Sequence, residues 1–363
     1  MILLAYITLI FTAIQFLVAL VNLITEISLP ESENESANLV SVLIPARNEE
    51  NNISNILNDL IYQTYQNIEV IVFNDQSEDK TAEIVDEFAR RDSRIKLLNS
   101  EGLPDGWFGK NYACHSLAKH AQGEYLLFLD ADVRIKNNIL GNAVSFSKKH
   151  DIRLVSIFPK QIIKTFGERI TVPNMNYILV SLLPLILVRK LKYPSMAAAN
   201  GQFMFFRADI YHTSEPHRLM KNNKVEDIHI ARLFKKMRFK VACLLGDETI
   251  RCRMYSGFWD SVNGFSKNVI AFFGNSYFLA VLFWFITTFG ILAVIFGLPE
   301  EFLIVYLLMY FLTRIFVSLA SQQNIFYNLV YFILLQFSLG LFIYKAFINQ
   351  YFRKLRWKGR IIE

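Results

Sequence analysis

The sequence predicts an α/β domain built on a parallel sheet and held between apolar segments long enough to cross a membrane. Three observations carry that prediction. Short runs of β-branched and aromatic residues alternate with helical patterns between residues 39 and 129, as a parallel sheet covered by helices requires. Met1 to Ile24 is largely apolar and free of charged side chains, and apolar stretches recur at 277–297, 302–320 and 325–346, near the roughly 20 residues that span a bilayer core. The chain between them is charged like an ordinary water-soluble protein. The expected organisation is an anchor at 1–25, a linker at 26–38, an α/β domain at 39–268, membrane helices at 269–350 and a basic tail at 351–363.

Leu39 to Ile44 reads as the first strand, ended by Pro45. Glu49 to Tyr62 then places Ile53, Ile56, Leu57, Leu60 and Ile61 at helical spacing. Glu69 to Phe73 is a second strand, and Thr81 to Arg90 a helix with Ile84, Val85 and Phe88 on one face. Ile95 to Leu98, a helix over Asn111 to Ala121, and the strand Tyr125 to Leu129 complete the regular part. Beyond it, Val155 to Ile157 and Met204 to Arg207 are short strands and Val225 to Phe234 a helix. Met175 to Val188 is apolar, is interrupted by Pro184 and ends in Arg189-Lys190, which suits an interfacial helix or a buried element better than a span.

Composition agrees with a membrane-embedded chain. Of 363 residues 53% are hydrophobic and 32 are phenylalanine, above the soluble norm. The first apolar segment has no basic start and no small-x-small site before the acidic stretch Glu26 to Glu35, so it reads as a retained anchor rather than a cleaved leader. Cys114, Cys243 and Cys252 are odd in number and lack metal-ligand spacing, which suits a reducing compartment. The net charge of +6 includes Arg353, Lys354, Arg356, Lys358 and Arg360, directly after a hydrophobic span. That placement favours anionic lipid over nucleic acid.

Chemistry concentrates at Asp130-Ala131-Asp132, which closes the strand Tyr125 to Leu129. Two carboxylates one residue apart can share a hard divalent cation, Mg²⁺ or Mn²⁺, whose shell substrate phosphates complete. Acidic pairs after strands are also common in solvated turns, and the company of this one decides. Arg47, Asp75 and Asp130 all fall at predicted carboxyl ends of strands, where ligands of such sheets bind.

The ordered set Ser41-Val42-Leu43-Ile44-Pro45-Ala46-Arg47-Asn48-Glu49-Glu50, Asn74-Asp75-Gln76-Ser77-Glu78-Asp79-Lys80-Thr81, Asp130-Ala131-Asp132 and Glu226-Asp227 resembles the family 2 inverting glycosyltransferases of GT-A fold. The resemblance runs from about residue 39 to 268. Gly106-Trp107-Phe108-Gly109-Lys110-Asn111 and Trp357-Lys358-Gly359-Arg360 resemble its membrane-bound subgroup acting on carotenoid and hopanoid lipids. The resemblance implies a nucleotide-sugar donor contacted by Pro45, Arg47 and Glu49, with Asp75 accepting from the base. It makes Asp132 the metal ligand, Asp130 a ribose or metal-shell contact, Asp227 the general base with Glu226 beside it, and Asn200-Gly201-Gln202 an acceptor-side loop. Lys110 is a candidate point charge near the phosphates, Arg253 a diphosphate clamp and Trp259 a lining of the acceptor entrance.

Several assignments have a structural alternative, Lys110 after Gly109 being equally at home in a solvated turn. Arg47 and Glu49 also suit a solvated helix start, and Glu226-Asp227 a helix N-terminus that favours negative charge. Arg251, Arg253 and Lys267 also suit a basic collar against anionic lipid. Trp107 is either a sugar-stacking face or a hydrophobic plug. Processive synthases of the wider family carry Gln-x-x-Arg-Trp where this chain has Arg253-Met254-Tyr255-Ser256-Gly257-Phe258-Trp259, a departure that points to single-sugar transfer.

The expected function is therefore transfer of one sugar, from a UDP-sugar first, to a membrane lipid such as a carotenoid acid or other terpenoid. The alternatives are a polyprenyl-phosphate glycosyltransferase, a small polysaccharide synthase, or a non-catalytic membrane scaffold. A multi-pass protein of the cell membrane with its domain in the cytoplasm meets one conflict. Three spans after that domain would put the basic tail outside, whereas positive charge favours the cytoplasmic side. One segment is then expected not to cross fully, and Arg314 makes 302–320 the costliest.

Overall fold

The computed structural model describes residues 1–32, 37–351, 356–357 and 360–361. Linker residues 33–36 and the tail residues Arg353, Lys354, Lys358 and Gly359 lie outside the described residues. Two compact units result, one of Ser28–Lys160 with Leu187–Cys252, the other of Met1–Ile27, Gln161–Ile186 and Arg253–Glu363. Residues 161–186 and 253–268, read from the sequence as part of a single α/β domain, thus group with the apolar helices.

The α/β unit contains β1 (Val40–Ala46), β2 (Ile68–Asn74), β3 (Ile95–Asn99), β4 (Tyr125–Leu129), β5 (Val133–Ile135) and β6 (Leu154–Phe158). After the two-residue β7 (Lys160–Gln161), where the chain passes to the other unit, come β8 (Phe203–Arg207), β9 (Val241–Leu245) and β10 (Ile250–Cys252). Seven strands form one sheet in the order β3-β2-β1-β4-β8-β6-β9. Apart from the edge strand β3, where only Ile95 is buried, its strands are buried nearly throughout, as expected of a sheet covered on both faces.

The sheet is mixed, not all parallel, because β8 runs antiparallel to both β4 and β6. A short apolar strand carries no mark of its direction, so the sequence could not disclose this. The reversal sets Phe203 opposite Leu129 and so brings the start of β8 to the carboxyl end of β4.

Pro45 does not end β1; the strand continues to Ala46. Val40 and Ala46 face β2, since Val40 N–H donates to Asn67 O and Ala46 O accepts from Asp75 N–H. By alternation Pro45 faces β4, whose pairing with β1 already stops at Leu43. The missing N–H of proline therefore costs no ladder bond. One polar group is buried deliberately in this sheet. The Glu69 carboxylate accepts from the Ser41 hydroxyl and the Gln122 N–H, both at 2.6 Å.

In the other unit, Ile2–Ile24, Tyr277–Gly297, Glu300–Ala320 and Phe332–Tyr351 are helices long and apolar enough to cross a membrane. The segment expected at 325–346 is instead split. Asn324 caps a short helix, Ile325–Val330, by accepting from Tyr327 N–H, and the long helix begins at Phe332. Of the two alternatives for Met175 to Val188, the helix Pro173–Leu182 is the buried element. Asn22 donates to Val180 O at 2.8 Å and Leu183 O at 2.9 Å, and Gln15 to Ser181 Oγ at 3.0 Å.

Arg314 is only 4% exposed. Its guanidinium lies over the rings of Tyr177, Tyr310 and Phe332 and donates to the Tyr310 hydroxyl at 3.0 Å. Among the described residues it forms no ion pair with a carboxylate.

Candidate active site

The acidic turn after β4 is pinned by main chain. Asp130 N–H donates to Gln202 O at 3.1 Å, and Val133 N–H to Asp130 O at 3.1 Å. Lys110, in the first turn of the helix Gly109–His120, places Nζ 2.7 and 2.9 Å from the two Asp130 oxygens. The same ammonium donates to Gly201 O at 3.3 Å and lies 3.8 Å from Glu226 Oε1. Asp227 Oδ2 accepts from Gly201 N–H at 2.9 Å, while its Oδ1 accepts from Ile228 N–H at 2.7 Å.

This crowding favours glycine at 201. A Cβ there would sit 3.1 Å from Lys110 Nζ and 3.3 Å from Glu226 Oε1. The flanking Asn200 N–H donates to Ser156 Oγ at 2.7 Å, Gln202 N–H to Asn200 Oδ1 at 2.8 Å, and Gln202 Nε2 to Cys252 Sγ at 2.9 Å. Lys110, Asp130, Asn200, Gly201, Gln202, Glu226 and Asp227 are thereby brought together.

Burial and mutual repulsion set the electrostatics. Burial opposes the Lys110 ammonium, but the neighbouring Asp130 and Glu226 carboxylates outweigh it and hold its pKa above the ordinary lysine value. Burial lifts Glu226 to about 7 against the pull of Lys110, with Asp227 adding repulsion. Asp227 is also raised, chiefly by burial. Asp132 reaches about 7 through burial and then repulsion from Asp130 and Glu49.

One lysine thus faces four carboxylates, Asp130, Asp132, Glu226 and Asp227, a set with negative charge to spare for a divalent cation. The Asp132 Oδ1 atom is buried without a hydrogen-bond partner. Among the described residues no three His, Cys, Asp or Glu side chains converge as a cage. The donor set fits a hard cation that takes few protein ligands and completes its shell with phosphate oxygens.

The first loop is tied to the second. Arg47, largely buried, donates through Nη1 to Asp75 O at 2.7 Å and Gln76 O at 3.2 Å. Asn48 and Glu49 N–H donate to Ser77 Oγ and Thr81 Oγ1. Arg47 is therefore not part of a solvated helix start. Pro45 and Asp75 lie at the adjoining ends of β1 and β2, Asp75 being buried.

Trp107 stacks on His115 with centroids 5.2 Å apart and meets Tyr112 edge-on while keeping partial exposure. Asn111 binds the carbonyls of Met220, Lys221 and Asn223. The bonding roles of Cys252 and Asn111 are not legible in the sequence because their partners are distant in the chain.

Arg253 and Trp259 belong to the other unit. Arg253 Nη2 is 2.8 Å from Oε1 of Glu168, a carboxylate with no exposure whose capping box with Thr165 fixes it. Trp259 is 63% exposed.

This fold, with its acidic turn at the carboxyl end of a central strand, is that of the GT-A class. Residues 41–214 match the family described as Glycosyl transferase family 2, and the chain carries that domain. It is 28% identical over 240 residues to 4,4'-diaponeurosporenoate glycosyltransferase of Staphylococcus haemolyticus, a match covering 65% of this chain and 62% of that one. The match therefore spans less than two thirds of that relative's length. Identity to the enzyme of the same name from Staphylococcus aureus strain USA300 is 24% over 270 residues, covering 71% and 68%. A mannosyltransferase from Pyrobaculum calidifontis, solved in complex with GDP-Man and Mn²⁺, superimposes with a TM-score of 0.55 at 17% identity over 96% of this chain and 99% of that one. The last likeness is one of fold.

Proposed function

We propose that the chain transfers a single sugar, with inversion, from a nucleotide-diphosphate sugar, UDP-linked first, to a lipid acceptor in the membrane. A carotenoid acid is the acceptor class to which the relatives' name points. One observation carries the proposal. Asp227, beyond the matched residues 41–214, is held by the Gly201 amide beside the Lys110–Asp130 pair at the carboxyl end of β4. Asp227 acts on the acceptor oxygen as it attacks the anomeric carbon from the face opposite the leaving diphosphate. Its raised pKa suits proton acceptance near neutral pH. A carboxylic acid acceptor is already ionised there, and Asp227 then chiefly positions it.

Asp132, with Asp130 beside it, would hold Mg²⁺ or Mn²⁺, an ion that offsets diphosphate charge and improves the leaving group. Pro45, Arg47, Glu49 and Asp75 form the nucleotide side, Lys110 adds positive charge near the phosphates, and Asn200, Gly201 and Gln202 face the acceptor with Glu226 in support. Arg253 serves the diphosphate and Trp259 the acceptor entrance. The α/β unit works in the cytoplasm on this reading. The absence of Gln-x-x-Arg-Trp supports a single transfer.

The test is transfer by detergent-purified protein from a panel of radiolabelled UDP- and GDP-sugars to extracted carotenoid or polyprenyl lipids, with Mn²⁺ or Mg²⁺. Metal-dependent labelling of one lipid by one donor, lost in Asp132→Ala, is the expected result. Folded protein that neither turns over nor binds any nucleotide would overturn it in favour of a scaffold.

A further inference from the structure

The α/β unit carries a basic face remote in sequence from the acidic turn. It is assembled from three places. Lys148 and Lys149 lie in the last turn of the helix Ile139–His150, Lys190 ends the helix Leu185–Lys190 with Lys192 just after it, and Lys236, Arg238 and Lys240 leave the helix Glu226–Lys236. All seven are exposed.

Contacts between these places make them one surface. Arg189 reaches the His150 ring at 3.4 Å and lies over Phe146. Lys240 Nζ donates to His150 O at 3.3 Å. Lys235, buried beneath, donates to Val188 O and Leu191 O and clamps the second place to the third. Two exposed acids at this edge are already engaged, Asp151 by Arg153 and Asp209 by Arg207 at 2.6 Å. Tyr193 at 62% exposure and Met237 at 41% add apolar groups among the cations.

We infer that this face docks the α/β unit on an anionic lipid leaflet. Cations interspersed with an exposed tyrosine and a methionine match a headgroup layer, where charge is met at the phosphates and amphipathic side chains enter the interface. Four helices long enough to cross a membrane tether the unit to a bilayer, so even modest affinity acts at high effective concentration. A nucleic acid would meet the same charge but gains nothing from that tether. The inference does not depend on the acceptor or the donor.

The test uses the full chain in nanodiscs of phosphatidylcholine with or without phosphatidylglycerol. A Tyr193→Cys variant carries an environment-sensitive dye, the native Cys114, Cys243 and Cys252 being buried, and headgroup spin labels report its approach. Quenching should rise with phosphatidylglycerol and fall with salt. Each basic residue near such a leaflet contributes roughly fivefold. Reversing Lys190, Lys236 and Lys240 to Glu should therefore cut the docked-to-undocked ratio by roughly a hundredfold or more. Lys80→Glu and Lys119→Glu, exposed but outside the cluster, should leave it unchanged. Quenching that ignores phosphatidylglycerol, equal losses in the two control variants, or displacement by an oligonucleotide that binds more tightly than lipid would each overturn the inference.

Discussion

Lys110 in the α/β unit, about three-quarters buried, and Arg314 among the apolar helices, almost wholly buried, are neutralised by different means. Lys110 meets carboxylates, with Asp130 in direct contact and Glu226 at 3.8 Å. Arg314 meets three aromatic faces and one tyrosine hydroxyl. In the first place several charges depend on one another, so removing one strands the rest. In the second the cation stands alone, and its removal strands nothing charged. The comparison separates a cluster assembled for chemistry from a cation accommodated by packing.

The largest expected effect is on turnover. Asp227→Asn should lower transfer to a hydroxyl acceptor by about 10²–10⁴-fold and transfer to a carboxyl acceptor by less. Rates on the two acceptors, with circular dichroism to confirm folding, provide the check, and equal losses would count against the base. Next comes Lys110→Met, which leaves Asp130 and Glu226 facing each other. It should destabilise the protein by about 3 kcal/mol in a denaturant titration.

Glu226→Gln sharpens the same point through pH. The folded pKa of Glu226 is raised from 4.5 to about 7, so the folded state keeps a proton that the unfolded chain releases. Wild-type stability should fall as pH rises through that window. Unfolding midpoints of the variant should show a shallower slope, the remainder coming from Asp132 and Asp227, and should gain on wild type toward neutral pH. The smallest effect belongs to Arg314→Met. The substitution removes a cation–π attraction of up to about 2 kcal/mol. It also relieves the cost of keeping an arginine in an apolar helix, about 2.5–3.5 kcal/mol. A small net gain, roughly 0.5–1.5 kcal/mol, is expected by thermal unfolding in detergent.

Much of the fold was legible because burial is written in composition. β4 was read to the residue, five apolar side chains bounded by Glu124 and Asp130. Pro45 was misjudged because its tolerance depends on where the β1–β4 ladder stops, a property of two strands far apart in the chain. The direction of β8 was equally hidden. Of the candidate site, the motif residues were visible by type, but their mutual bonds were not. Nothing local announces that Lys110 will reach Asp130, or that Gln202 will reach Cys252 fifty residues on. The grouping of Arg253 with the apolar helices follows from Glu168, 85 residues upstream.

The hydrogen bond from Gly201 to Asp227 has an evolutionary side. Its donor is main chain, so a side-chain change in the loop cannot delete it, and at position 201 itself only proline would. Any other replacement keeps the donor but fills the narrow space beside Lys110. Selection on this bond would therefore act through room, not through hydrogen-bonding chemistry. Drift at position 201 should be free at the level of polarity and constrained at the level of size, a signature to look for when sequences of this kind are aligned.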